Sequence, residues 1–376
     1  MIIRQLSESI QKNLSLKKAV VILGARQVGK TTLLQQLNLE PDNTLTLNGD
    51  EPDVRGLLTG INSSRLRTVF GDKKNIIIDE AQLIPEIGMT LKLITDQLKD
   101  VQLFVSGSSS IDIANQINEP LTGRKLEYQM YPVSFGEMVK HHGLLEEKRQ
   151  LPHRLVFGSY PEIITSPGNE ILLLKNIAGS YLFKDILSFG EIKKPIVLEK
   201  LLKALALQVG NEVSFNELSQ LVGADKETVE KYIDLLEKAF IVFRLNALNR
   251  NVRNEIKKGK KIYFVDNGIR NAVIGNFILW ENRTDKGALW ENFLVSERIK
   301  YLNYYGFYGN YYFWRTTQQQ EIDFIEEQDG KFDAYEFKLS STKNTKLSST
   351  FQNAYLVAGY QTISMLNVED FLLPVN

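Results

Sequence analysis

The chain has 376 residues, 45 of them basic and 45 acidic, so its formal charge is zero, and it contains no cysteine. That length supports two or three domains with their own cores, and the charge balance excludes a global field drawing the protein to nucleic acid or anionic lipid, so any such binding must be local. The lack of cysteine excludes disulfides, thiolate metal sites and cysteine nucleophiles and, with no signal-peptide pattern in "MIIRQLSESIQKN", sets the expectation of a cytoplasmic protein.

Apolar runs such as "NIIIDE" and "EILLLKN" are far shorter than the roughly 20 residues that cross a bilayer, so no membrane contact is expected. His141, His142 and His153 fall in no metal-binding spacing and read as surface residues.

From Lys18 the chain reads "KAVVILGARQVGKTTLLQQL": an apolar run of strand length, a glycine loop, then a helix-period segment with Leu33, Leu34 and Leu37 inward. Gly24 to Thr31 fit GxxxxGK[ST] residue for residue, in the strand, loop and helix setting that the motif requires. Gly24 and Gly29 let the backbone turn so that successive N–H groups, across Arg26, Gln27 and Val28, face the phosphates of ATP. The following helix, with Thr32 in its first turn, presents its positive end to the same anion. Lys30 adds a compact charge, and the Thr31 hydroxyl is suited to ligate Mg²⁺.

A second part is expected on a neighbouring strand. "KKNIIIDEAQ" supplies it, a buried-type strand ending in Asp79, which would hold Mg²⁺ through its water shell, and Glu80, which would orient or deprotonate the attacking water. "VQLFVSGSSS" is a third apolar strand ending in hydroxyls, with Ser106 or Ser108 suited to sense the γ-phosphate; Ser106 reads equally as a polar strand end. Strands alternating with helices from Ala19 to about Val139 predict a parallel sheet covered on both faces, with ligand at the carboxyl ends of its strands. In "EPLTGRKLEYQMYPVSFGEM", Arg124 is a candidate to neutralise transition-state charge, in cis or towards a neighbouring subunit of a homo-oligomer, and equally reads as a solvated arginine.

Further on, "SFNELSQLVGADKETVEKYIDLLEKAFIVFRL" predicts a helix, a tight turn through Gly223 and a second helix capped near Asp225. Val229, Tyr232, Ile233, Leu236 and Phe240 form an apolar stripe on the second helix, and Phe240 to Leu245 reads as a strand. This is a helix-turn-helix with a wing to follow. Glu227, Glu230, Asp234 and Glu237 make the second helix a poor match to a polyanion, so a protein partner is weighed there beside DNA. The run "NRNVRNEIKKGKK", with Arg250, Arg253, Lys257, Lys258, Lys260 and Lys261 against Glu255, is either a salt-sensitive phosphate contact or a solvated wing.

Near the end, "EIDFIEEQDGKFDAYEFKLSS" carries a strong hairpin signal at Asp329-Gly330. Counting outward from Gln328 opposite Lys331 sets Asp323 opposite Glu336 and Glu321 opposite Lys338 on one face, with Ile322, Phe324, Tyr335, Phe337 and Leu339 on a core face. Like charges opposed at about 5 Å are destabilising without a bound cation, so Asp323 and Glu336 are candidate ligands for a second Mg²⁺ or Mn²⁺, with Lys338 stabilising charge beside it. The pattern resembles the active site of the PD-(D/E)xK nucleases, whose usual helix acid would be Glu291 in "WENFLVSERIKYL", with Glu297 as second choice.

Taken together, "GARQVGKTTL", "IIIDEAQ", "FVSGSSS", "LTGR", "YPVSFGEM", "GSYPE", "KIYFVDNGIRNAV", "WENFLVSE" and "EIDFIEE" with "YEFKLSS" resemble the bacterial and archaeal AAA-type P-loop ATPases that carry a C-terminal domain of unassigned function. Ala25 stands where that family usually has proline, and Ser159 where a second glycine is common. The resemblance implies ATP hydrolysis with Mg²⁺ and an α/β architecture: an AAA-type P-loop domain over residues 1–165, a helical and winged-helix module over 166–254, and a restriction-endonuclease-like domain over 255–376. Two functions follow as expectations. One is an ATPase controlling a nuclease-like, DNA-acting domain; the other is a nucleotide switch whose C-terminal region binds a protein partner without cleavage.

Overall fold

The computed structural model describes residues 1–107, 117, 119–182, 192, 194–249, 259–340 and 346–374. Two compact units emerge, one built on Met1–Val133 and the other on Ser134–Ser180, Ile192–Glu237 and Ile241–Asn376. The boundary expected at residue 165 therefore falls at 133. Ser134 opens the second unit, because it begins a helix (Phe135–His142) with a reciprocal capping box: Ser134 Oγ accepts from Glu137 N at 3.1 Å, and Glu137 Oε2 accepts from Ser134 N at 2.9 Å.

In the first unit, strands β1 (Ala19–Leu23), β2 (Thr44–Asn48), β3 (Asn75–Asp79), β4 (Gln102–Gly107) and β5 (Lys125–Gln129) form a parallel sheet in the order β2-β3-β4-β1-β5. All residues of β1 are buried, as a continuous apolar run in a parallel sheet demands. Leu23 pairs with Gly107 and Asn48 with Asp79, so β1, β3 and β4 end at one edge of the sheet. One expectation is corrected here: the strand ending in Asp79 is not a direct neighbour of β1, because β4 lies between them.

In the second unit, β6 (Glu212–Val213), β7 (Val242–Ala247), β8 (Lys260–Phe264), β9 (Asn310–Arg315), β10 (Glu321–Gln328), β11 (Lys331–Phe337) and β12 (Val357–Ile363) form one sheet in the order β12-β11-β10-β9-β7-β8-β6. This removes the boundary expected at residue 254, since β7 and β8 on either side of it are antiparallel neighbours. The helix Phe215–Val222 ends on Gly223 in the left-handed region (φ 72), and Asp225 Oδ1 accepts from Thr228 N at 2.7 Å to cap the helix Lys226–Lys238. The following strand starts at Val242 and not at Phe240, whose φ of 57 is incompatible with an extended backbone.

The hairpin of β10 and β11 has the expected register, Gln328 opposite Lys331, around Asp329 (φ 53) and Gly330 (φ 74), the double left-handed signature of a type I′ turn. Its faces differ from expectation. The pairing of β10 with β9 shifts between Ile322 and Ile325, a bulge that breaks the alternation. Ile322 therefore packs with Ile325, Ala334, Trp314 and Phe351. Phe324, Tyr335 and Phe337 instead surround Phe371, at ring separations of 6.1, 4.7 and 5.5 Å. Both faces of the ribbon are thus covered by apolar side chains.

Candidate active site and the acidic cluster of the second unit

The phosphate loop leaves β1 at Gly24, where a Cβ would lie 2.2 Å from the Met130 carbonyl oxygen. Glycine is required there by close backbone approach. Gln27 (φ 62) and Gly29 (φ 94) are left-handed and alternate with ordinary conformations, the backbone geometry that turns successive N–H groups into one concavity. Arg26 is half-buried, Gln27 exposed and Val28 buried, while Thr31 and Thr32 are exposed in the first turn of the helix Lys30–Gln36. Lys30, only 5% exposed, donates from Nζ to the carbonyls of Gly24 (3.0 Å) and Ala25 (2.9 Å) across the loop.

Asp79 reaches the same edge from β3. Its Oδ2 accepts from Thr31 Oγ1 at 2.7 Å, and its Oδ1 accepts from the fully buried Ser106 hydroxyl and from Glu80 N at 3.1 Å. Ser106 also accepts from Glu80 N at 3.4 Å, so this hydroxyl is turned towards Asp79; Ser108 lies outside the described residues. Glu80 is left-handed (φ 48), and its Oε2 accepts from Gln82 Nε2 at 2.5 Å. Lys30, Thr31, Asp79, Glu80 and Ser106 are thus brought to one edge.

Arg124 is not among them. Ala19 N donates to Arg124 O at 2.9 Å, and Ala19 pairs with Lys125, so Arg124 stands at the amino edge of the sheet, a full strand length of about 16 Å from the loop. Its Nε donates to Asp96 Oδ1 at 2.6 Å and holds that half-buried carboxyl below the ordinary range. The cis role expected for it is corrected on this ground.

Arg4, which sequence reasoning missed, is 4% exposed and donates at 2.6 Å to both the Val28 and the Tyr131 carbonyls. Gln36 fastens it from the phosphate-loop helix, accepting from Arg4 N at 3.1 Å and donating to Ile2 O at 2.7 Å. A short apolar and basic start, "MIIRQL", gives no signal for partners so far along the chain.

In the second unit, the residues expected to form a nuclease-like site do converge. Burial, then the carboxylates of Glu291 and Glu336, push Asp323 up to about 7, against the pull of Lys261 and of Phe337 N, which donates to Asp323 Oδ2 at 2.7 Å. Lys338 donates to Glu336 Oε1 at 2.7 Å, and not to Glu321 as register alone suggested. Glu321 turns to Lys261 (2.6 Å) and towards Arg315 (3.8 Å). Glu291 accepts on Oε1 from Lys261 (2.9 Å) and from Tyr263 Oη (2.7 Å). Glu297, the second choice, is a buried structural acid that accepts from Phe135 N and Lys300 Nζ.

Asp323 and Glu336 do not fit the metal-ligand expectation. Among the described residues no group of three or more histidine, cysteine or acidic side chains is arranged to hold a metal ion; Lys338 pairs with Glu336, and Lys261 with Glu291 and Glu321. Of the basic run expected before β8, Lys260 and Lys261 are described, while Arg250, Arg253, Glu255, Lys257 and Lys258 lie outside the described residues. No helix among the described residues is long and apolar enough to cross a membrane.

Comparison with known proteins assigns the first unit. Residues 16–139 match the model of an AAA domain, residues 148–278 a domain of unknown function (DUF8612) and residues 286–368 a domain of unknown function (DUF4143). The chain is 25% identical over 363 residues to an uncharacterized protein of Mycobacterium tuberculosis, covering 93% of this chain and 76% of the relative. It is also 25% identical over 304 residues to an uncharacterized protein of Haemophilus influenzae, covering 73% and 72%. The solved Walker-type ATPase of Pyrococcus abyssi superposes with a TM-score of 0.50 at 14% identity, covering 72% of this chain and 95% of that one, a likeness of fold. The first unit is an AAA-type P-loop ATPase domain.

Proposed function

We propose that the chain is a Mg²⁺-dependent ATP hydrolase working as a nucleotide switch, with a second unit that engages a protein partner. The observation that carries the ATPase reading is the Asp79 carboxylate, held at the rim of the phosphate loop by Thr31 Oγ1 at 2.7 Å and by the buried Ser106 hydroxyl. Thr31 and Asp79 provide oxygen donors that suit Mg²⁺, which when bound neutralises charge on the phosphate oxygens. The loop amides bind the phosphates. Lys30 exchanges the Gly24 and Ala25 carbonyls for phosphate, and Glu80, steadied by Gln82, orients the attacking water. Arg124 serves, on this reading, a second copy of the chain, since its own loop is at the far end of the sheet.

Arg4 supports coupling. It ties the Val28 carbonyl in the phosphate loop to the Tyr131 carbonyl, two residues before the first unit ends at Val133. A change in the loop is therefore felt where the chain enters the second unit. The order of elements from Pro195 to Phe264 (helix, strand, helix, helix, strand, strand) supports a winged-helix reading. The second helix in that motif carries Glu227, Glu230, Asp234 and Glu237 among its lysines, and Arg244 binds two of these acids; on that mixed charge a protein is favoured over DNA as the partner.

Phosphate release by the purified chain tests this. Turnover in Mg²⁺ that is lost with EDTA, in Lys30→Ala and in Asp79→Asn is expected; turnover persisting in Asp79→Asn would remove the proposed site. A second reading, in which the C-terminal region cuts DNA, is favoured by the convergence of Glu291, Asp323, Glu336 and Lys338, and is tested by plasmid nicking in Mg²⁺ and Mn²⁺.

A further inference from the structure

Lys261 lies in β8 with 2% of its surface exposed, and its Nζ contacts Glu291 Oε1 at 2.9 Å and Glu321 Oε1 at 2.6 Å. We propose that this ammonium is a built-in counter-ion standing where the metal of a nuclease-like site would stand, so that the acidic cluster is a metal-free structural centre and not a hydrolytic one. The inference concerns the second unit and does not depend on the ATPase reading.

The donor set is the first argument. Mg²⁺ asks for near-octahedral oxygen coordination and keeps several waters. Here each carboxylate already has a protein donor: Glu291 has Lys261 and Tyr263, Glu321 has Lys261, Asp323 has Phe337 N, and Glu336 has Lys338. A lysine ammonium has three protons and no lone pair, so it satisfies carboxylates as a cation does and repels a second cation brought within a few ångströms of it. Burial alone would lower the Lys261 pKa, but Glu291, Glu321 and Asp323 outweigh it and hold the group above its ordinary value, so it stays charged.

The second argument is position. Lys261 belongs to the β6-β8-β7 part of the sheet and Glu321 to the β9-to-β12 part, and the described register joining β7 to β9 consists of Asn246 with Tyr312 and Ala247 with Phe313. The ammonium crosses that short junction, passing 5.3 Å from the centre of the Phe313 ring. Gly210, at φ 80, faces the other oxygen of Glu291, where a Cβ would sit at 3.2 Å. The pocket for Glu291 is shaped for a fixed carboxylate.

The test is Mn²⁺ alone, titrated into the nucleotide-free full chain carrying Asp79→Asn, with bound ion followed by electron paramagnetic resonance. The expected result is that this protein and its Asp323→Asn derivative give superimposable titrations, while Lys261→Met gains a saturable Mn²⁺ site that Asp323→Asn abolishes. A Mn²⁺ site already present with Lys261 intact and lost in Asp323→Asn overturns the proposal, and this comparison decides even if Lys261→Met does not fold. A folded Lys261→Met that gains no site overturns the claim that the lysine stands in the place of a metal. Mg²⁺- or Mn²⁺-dependent plasmid nicking that disappears in Glu336→Gln overturns it as well.

Discussion

The two units each bury a lysine, and the partners of the two differ in charge. Lys30 rests on two backbone carbonyls, whereas Lys261 is clasped by two carboxylates. A hydrogen bond from a charged group to a neutral one nets about 1.5–3 kcal/mol, while breaking a buried ion pair by removing one partner costs about 3–5 kcal/mol. An arriving phosphate can take Lys30 from these two carbonyls, neither of which carries a charge. Anything that took Lys261 would leave two half-buried carboxylates short of their main cation, Glu291 with only Tyr263 and Glu321 with Arg315 at 3.8 Å. On the two proposals above, the charge of the groups that hold a buried lysine decides whether it can meet a ligand: Lys30 can, and Lys261 cannot.

The comparison breaks most visibly at Lys261. Lys261→Ala is expected to lower unfolding stability by up to about 3 kcal/mol, the low end for breaking a buried pair, because Glu291 and Glu321 are half-buried and Glu321 keeps Arg315 nearby. A urea transition unchanged from wild type would mean that solvent already reaches the cluster. At Lys30 the expected loss is in rate and not in stability. Lys30→Ala should reduce ATP turnover by about 10²–10³-fold, as for removal of one transition-state donor, with the urea midpoint close to wild type. If the two variants exchanged these signatures, the assignment of a working and a structural lysine would be reversed.

Arg4 sharpens the contrast from the side of the loop. It too holds carbonyls, at Val28 and Tyr131. Because the peptide is planar and trans, fixing the Val28 carbonyl also fixes the Gly29 N–H on the opposite side of the same plane, where it can face phosphate. Arg4→Met should raise the KM for ATP about tenfold, the loss of one charge-assisted bond, and change kcat little; Arg4→Lys should recover part of it. A fall in kcat at constant KM would point to a role in the chemical step.

The phosphate loop was legible because its motif fixes local geometry: a strand, two glycines, a lysine and a threonine have few ways to fold. Asp79 was legible as a strand end, but its distance in strand order from β1 was not, because nothing local tells which crossover inserts β4. Arg124 precedes "KLEYQ" and not the reverse, and a parallel sheet sends the start of that strand to the edge away from the loop; the strand itself had to be recognised first. In the second unit, the turn at Asp329-Gly330 gave the right register, yet the bulge between Ile322 and Ile325 moved Phe324 and Ile322 to different faces. Lys261 and Tyr263 are two residues apart and so share a face of β8, a parity written in the sequence. What lies opposite that face comes from the helix Lys286–Tyr304 and from β10, and no local pattern announces such a meeting.

The gentlest test uses an inverted copy of the Lys261 arrangement in the same unit. Asp285 lies between two arginines, accepting from Arg270 Nη1 at 2.6 Å and from Arg283 Nε at 2.8 Å and Nη2 at 2.9 Å. Burial alone would raise its pKa, but Arg283 and Arg270 outweigh it and bring it from 3.8 down to about 2. A carboxyl held below its unfolded value adds stability that is present above pH 3.8 and lost as the pH falls through about 2. The side chain is 26% exposed, and after discounting for that the contribution is about 1–2 kcal/mol. Asp285→Asn should therefore be less stable than wild type by that amount from pH 7 to about 4.5, with the gap narrowing towards pH 2, as read by urea transitions at stepped pH. A gap that stays constant would mean that packing and neutral hydrogen bonds hold this carboxyl, and that charge alone does not explain how either inverted cluster is kept shut.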